Sequence, residues 1–168
     1  MTIRWREVPG LAEALDAAGI RVWGQDGAYH ASDEIAAQTI IDNFDPLPEM
    51  QRRRLADLAA YRYARESAGV VIDGVRWDTT REARGNLQGA VVMAQIAMAA
   101  GQPFAATWKG QDGAFSTLDG AALITAAMLV GSYVAACFAR EAELTVAIMS
   151  LADWQDVRDL DITTGWPE

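Results

Sequence analysis

The dipeptide Asp73-Gly74, set between the β-prone triplets Val70-Val71-Ile72 and Val75-Arg76-Trp77, constrains this chain more than any other local feature. A two-residue type I′ loop needs positive φ at both central positions, and Asp-Gly is one of the few pairs that supply it. The spacing predicts a short antiparallel hairpin over residues 70–77, and helix signals flank it on both sides. Upstream, a helix is expected from about Glu49 to Ala68, with Leu55, Leu58 and Ala59 on one face and Gly69 as its stop. Downstream, Thr79-Thr80-Arg81-Glu82 reads as a capping box, with Thr79 capping and Glu82 reaching back. The helix it opens runs to Ala100, where Gly101-Gln102-Pro103 closes it. Phe104 to Trp108 and Ala114 to Thr117 are expected to pair around Gln111-Asp112-Gly113, and the last helix to run from near Leu118 as far as Asp153.

The first third is patterned differently. Residues 2–8 alternate polar and apolar as a half-buried strand does, and Pro9-Gly10 breaks the alternation. Leu11 to Ala18 predicts a short helix stopped by Gly19; Ile20 to Trp23 and Ala28 to His30 flank a turn at Gly24-Gln25-Asp26-Gly27. Ser32 is the expected N-cap of the next helix, with Asp33 and Glu34 in its first turn and Ile35, Ala36, Ile40 and Phe44 at helical spacing. Asp45-Pro46-Leu47-Pro48 ends that helix and starts the following one. The expected fold class is α+β and mostly helical: helices with interspersed two-stranded β-hairpins and one long buried C-terminal helix. Residues 1–45 form a small N-terminal α/β segment, residues 46–153 a helix-hairpin-helix-hairpin-helix domain, and residues 154–168 a tail.

Fourteen basic against twenty-three acidic residues give a formal charge of −9, which argues against nucleic acid or an anionic membrane as the partner. Arg52-Arg53-Arg54 reads as a solvated helix face. From Ala121 to Phe138 no residue is charged, near the length that flags a membrane span. Its many Ala, Gly, Ser and Thr residues and its flanks, Asp119 and Arg140-Glu141, favour a buried central helix. Residues 2–7 lack the apolar core of a secretory signal.

Catalytic patterns are not found. With His30 and Cys137 each the sole residue of its type, two-His metal centres, zinc ribbons and CxxC pairs are excluded. Cys137 sits in an apolar run, where a thiol packs as a small hydrophobe. Ser132 lies mid-helix, not on a strand-to-helix elbow, and reads as a small residue that lets a neighbouring helix approach. Gly85 and Gly89, four apart, read the same way, and no P-loop or dinucleotide fingerprint occurs. The carboxylate pairs Asp42 with Asp45, Glu141 with Glu143, and Asp159 with Asp161 read as surface charge. No catalytic, cofactor-binding or metal-ligating residue is assigned, and no cofactor is expected. Trp23-Gly24-Gln25-Asp26-Gly27-Ala28 echoes Gly110-Gln111-Asp112-Gly113-Ala114 after Trp108, as two hairpins with the same turn chemistry do. Six tryptophans remain (5, 23, 77, 108, 154 and 166), and Trp5, Trp23, Trp154 and Trp166 are the candidate partner-binding anchors.

One resemblance sharpens this. Leu58-Ala59-Ala60-Tyr61-Arg62-Tyr63 with Glu66, Gly69, Val71-Ile72-Asp73-Gly74, Asp78-Thr79, Gln88-Gly89-Ala90, Trp108-Lys109 with Asp112-Gly113, Thr117-Leu118, and Ala136-Cys137-Phe138 with Glu141 resemble the DUF4376 family. The resemblance covers about 100 residues within 46–153 and implies a tailed-bacteriophage or prophage setting, in tail-fibre or tail-fibre-assembly proteins. Gly165-Trp166-Pro167 is similar to the endings of tail-fibre assembly proteins. The expectation is a non-enzymatic tail protein that binds other tail or fibre proteins, as a fibre or baseplate component or as an assembly chaperone. It would be found in the virion tail or the host cytoplasm during assembly, with homo-oligomerisation conceivable and no nucleic-acid or membrane partner. The alternative is a small phage-encoded hydrolase using Asp and Glu carboxylates.

Overall fold

The computed structural model describes residues 7–25, 28–111 and 113–168. In chain order the elements are α1 (Leu11–Ala17), β1 (Val22–Gln25), β2 (Ala28–Ala31), α2 (Glu34–Asn43), α3 (Leu47–Glu66), β3 (Val70–Ile72), β4 (Val75–Trp77), α4 (Arg81–Ala99), β5 (Ala105–Lys109), β6 (Phe115–Asp119), α5 (Gly120–Ser150) and α6 (Trp154–Asp159). Helices dominate, and the strands form three antiparallel pairs, β1–β2, β3–β4 and β5–β6, each its own two-stranded sheet. The expected α+β, mostly helical class with interspersed hairpins is what the structure shows. The predicted strand before Val8 falls largely outside the described residues, as do the turn residues Asp26, Gly27 and Asp112. The chain divides into two compact units, Met1–Asp57 with Val146–Leu160 and Leu58–Thr145 with Asp161–Glu168.

In the first unit, α1, α2 and the β1–β2 hairpin close over Leu11, Leu15, Ile20, Ala31 and Ala37. Ala37, not Ile35, is the buried centre of α2; Ile35 is exposed. The cap also differs by one residue from expectation. Asp33 caps α2 by accepting from the Ala36 N–H at 3.0 Å. The Ser32 hydroxyl instead accepts from the Arg21 N–H at 3.0 Å, where it closes the open end of the hairpin. The arginine run at the start of α3 is not uniformly solvated. Arg52 and Arg53 each lie 2.7 Å from Glu49, whereas Arg54 is mostly covered and donates to the Leu160 carbonyl. The tail region 154–159, expected to be irregular, forms the short helix α6, capped by Asp153 and anchored by fully buried Val157.

The second unit carries the β3–β4 hairpin as predicted, with Asp73 at φ 50° and Gly74 at φ 78° and Val70 opposite Trp77. Both turn residues are left-handed, as a type I′ loop requires. The α4 cap again moves by one. Thr80 is the N-cap, and Thr79 is fully buried, its hydroxyl accepting from the Gly69 N–H at 2.9 Å. Gly69 itself has φ +88°, and a Cβ there would lie 2.8 Å from the Trp77 carbonyl and against the Gln111 side chain. β5 and β6 pair from Ala105–Asp119 to Lys109–Phe115, one or two residues later than expected. Asp119 then caps α5, accepting from the Ala122 N–H at 2.8 Å. α5 is long, as expected, but it is buried along one side only. Leu123, Ala126, Val130, Tyr133 and Cys137 face inward at a 3-4-3-4 spacing, the Leu123 and Val130 side chains each worth about 2 kcal/mol when fully buried. Val134 is buried beside them, and most of the other residues between them face water.

Two predictions follow from these contacts. Gly69→Ala combines a left-handed backbone with a clash against main chain, so it should destabilise the protein by about 2 kcal/mol or more, read as a lowered Tm. An unchanged Tm contradicts the geometry. The carboxyl of Glu49 has its pKa lowered from 4.5 to about 2, first by the bond from Arg52 and then by that from Arg53. A depressed folded-state pKa contributes stability above the unfolded value, and that contribution is lost as pH falls from about 4.5 towards 2. The gap in urea midpoint between the native protein and Glu49→Gln should therefore close as pH is lowered from 7 to about 2.

Candidate functional site

The residues with conventional catalytic chemistry are scattered or already engaged. Among the described residues no three His, Cys, Asp or Glu side chains cluster as metal ligands do. His30 stacks on Trp23 with ring centroids 5.9 Å apart, and lies 3.8 Å from Glu34. Ser132 is exposed in mid-α5. Cys137 is fully enclosed, and burial pushes its thiol up, away from the reactive thiolate. The paired carboxylates are engaged within the structure, and Glu141, read from the sequence as surface charge, makes a tertiary ion pair. Asp42 accepts from Gln38, Asp45 from the Leu47 N–H, Glu141 pairs with Arg62, Glu143 with Arg140, and Asp159 with Arg158. Asp161 accepts from the Thr163 N–H and hydroxyl.

Among the described residues, the one buried charge centre lies in the second unit, where α3, α4 and α5 each contribute. Glu66 is 4% exposed, and its two oxygens are 2.7 Å from Arg62 and 3.4 Å from Arg84. Arg62 also reaches Glu141 at 3.1 Å and lies 4.5 Å over the Phe138 ring. Burial pulls the Arg62 pKa down, but bonds and charge from Glu66 and Glu141 outweigh it, and the net shift is upward. Two cations meet two anions here, so the centre is closed upon itself and pins three helices together. A polar cleft of about 320 Å³ opens at the C-terminal end of α3, lined by Arg65, Gly69, Arg76, Tyr133 and Glu168. Most of its donors have internal partners, although the buried Arg65 Nε has none among the described residues. Arg76 donates to Gln111 and to the Ala68 carbonyl, Arg65 to the Pro167 carbonyl, and the Tyr133 hydroxyl to the Arg65 carbonyl at 2.6 Å.

The four candidate anchor tryptophans separate into different roles. Trp5 lies outside the described residues. Trp23 is 44% exposed on β1, and Trp154 is half-buried at the start of α6, with the Arg158 guanidinium 5.6 Å over its ring. Trp166 is the correction. At 8% exposure it is part of its own unit's core, packed 5.5 Å from the Tyr61 ring and donating to the Ile162 carbonyl at 2.9 Å. The tail from Asp161 onward is thereby fastened to its own unit, with Arg140 donating to the Thr164 carbonyl as a second tie.

A surface that the aromatic residues did not point to lies on α4 and α5. Val92, Met93, Ile96, Met98, Met128 and Leu129 are all between 43% and 69% exposed. A groove of about 230 Å³ runs between the two helices, lined by Arg84, Leu87, Gln88 and Val91 on one side and Ala127, Val130 and Gly131 on the other. The signal for it in the sequence is charge depletion, since no charged residue lies between Arg84 and Lys109 or between Asp119 and Arg140.

These features define a small, mostly helical protein with a closed ionic core and an apolar helix face turned outward. Its family is DUF4376: residues 49–164 match the model described as "Domain of unknown function (DUF4376)", and the chain belongs to that family. No curated protein and no solved structure matches the chain. The match begins at the start of α3 and ends in the tail, so it takes in the whole ionic centre. Arg62, Glu66, Phe138 and Glu141, which are among the residues that carry the resemblance, are brought together there.

Removing one member of such a centre leaves a buried charge uncompensated. Arg62→Met should cost about 3 kcal/mol, whereas removing Arg62 and Glu66 together in favour of apolar residues should cost less than the sum of the single changes. Urea unfolding of the four proteins of the cycle measures this. Additive losses would show that the pair is not coupled.

Proposed function

We propose that this protein is a non-enzymatic bacteriophage tail protein that works by protein–protein binding, at the tail fibre or baseplate or as a fibre-assembly chaperone. The binding role rests on the exposed apolar face of α4 and α5. Large side chains left in water over a contiguous face mark an interaction surface. The tail setting is supported by membership of DUF4376 and by the resemblance of that domain to those of tail-fibre and tail-fibre-assembly proteins. Trp23, exposed on β1, is a second contact point on the first unit.

The reading is tested by tagging the chain in its native phage or prophage, inducing, and analysing both purified particles and soluble complexes by mass spectrometry. A virion component will be found in particles. A chaperone will co-purify with a fibre protein before assembly, and its deletion will give fibreless particles. A chain absent from particles, bound to no tail protein and dispensable for fibres overturns the proposal. So does cleavage of a host-surface glycan that is abolished by replacing a single Asp or Glu.

A further inference from the structure

α4 and α5 run antiparallel in the second unit. Gly120 at the start of α5 is the close-packing glycine of the pair, since a Cβ there would lie 3.2 Å from the Ala94 Cβ and the Met98 sulfur. Gly85 and Gly89 were expected to do the same job, and they do not; Gly131 is open as well. A Cβ at any of the three meets nothing within 4 Å. Glycine inside an exposed helix costs stability relative to alanine, and here no contact within the described residues requires it.

The same outer faces carry large apolar side chains at regular spacing. On α4, Gly85, Gly89, Val92, Ile96 and Ala99 are exposed and recur at intervals of four and three. On α5, Thr125, Met128, Ser132, Ala135, Ala139 and Ala142 are exposed and recur at intervals of three and four. This is the mirror of the inner seam of α5, and it has the heptad spacing by which one helix packs on another. Notches (Gly85, Gly89, Gly131) and knobs (Val92, Ile96, Met128) thus occur on one surface, divided by the groove between the helices.

We infer that this α4–α5 face is a self-association surface whose occupant is a second copy of this chain. A two-fold contact requires one patch to supply both the projections and the recesses that receive them, and this patch does so. Charge allows the same occupant. Each copy carries −9, so two copies repel, and a contact on a face without acidic residues keeps that repulsion smallest. None of the seam residues named on either helix is charged, and Arg84, Arg140 and Glu141 lie next to them along the chain. The size is also sufficient. Two adjacent helices of about four turns each present on the order of 700 Å² of accessible surface, close to the roughly 800 Å² per partner of a stable interface. Self-association deepens the binding role proposed above, since it names the occupant of the same face; it does not depend on the tail setting, and it leaves Trp23 on the first unit as the contact point for other proteins.

The test uses the full chain in analytical ultracentrifugation from about 1 to 100 μM, a range spanning micromolar affinity. The wild type will form a dimer or a higher symmetric oligomer. Met128→Glu and Gly89→Leu, both at exposed positions, will weaken association at least about tenfold while circular dichroism stays unchanged. Phe115→Ser, on the exposed β6 strand, will associate as the wild type does. A chain that is monomeric throughout overturns the inference, as does an oligomer indifferent to both substitutions. Association that appears only when lipid vesicles are added assigns the face to a membrane and also overturns it.

Discussion

Glu66 is a carboxylate at 4% exposure, and the second unit is organised around the need to compensate it. A buried ion is tolerable only with partners at bonding distance, and Glu66 takes one from its own helix and one from α4. Arg62 then carries the contact on to Glu141 and to the Phe138 ring on α5. Three helices are therefore held at one level and in one rotational setting. Apolar packing alone discriminates poorly between rotations of α5, because that helix is apolar nearly all round. An ionic centre discriminates strongly, because turning α5 would strand Glu141 and bare Arg62.

With that setting fixed, the fate of each α5 face follows. Leu123, Ala126, Val130, Tyr133 and Cys137 go inward, and Thr125, Met128, Ser132 and Ala135 go outward. The outward face is as free of charge as the inward one, which a helix needing only a single buried side would not require. Chain-internal packing accounts for the inner seam, for Gly120 and for the left-handed Gly69. It does not account for the open glycines of α4 and α5 or the exposed methionines, which the proposed self-association would explain.

Much of the fold was legible in local chemistry. The Asp73-Gly74 turn was readable because its determinant is backbone conformation, which a dipeptide carries by itself. The caps were readable to within one residue, and tertiary contacts decided which neighbour does the capping. Thr79 is taken by the Gly69 N–H and Ser32 by the Arg21 N–H, so Thr80 and Asp33 become the caps. α6 left no periodicity in the sequence, because six residues held by Val157 do not complete two turns of pattern. The site was harder to read than the fold. Tryptophan content pointed to Trp166, whose burial depends on Tyr61, about a hundred residues away. The α4–α5 face was hidden because an uncharged helix does not reveal which of its sides the core will take.

Hydroxyl-radical footprinting of the full chain at low and high protein concentration tests most directly the claim that α5 packs inward by one seam and receives a partner on the other. Met128 and Val92 should be modified readily when dilute and become protected as concentration rises, with Phe115 reactive throughout and Cys137 protected throughout. Equal labelling of Met128 at both concentrations, or ready labelling of Cys137, would contradict the account.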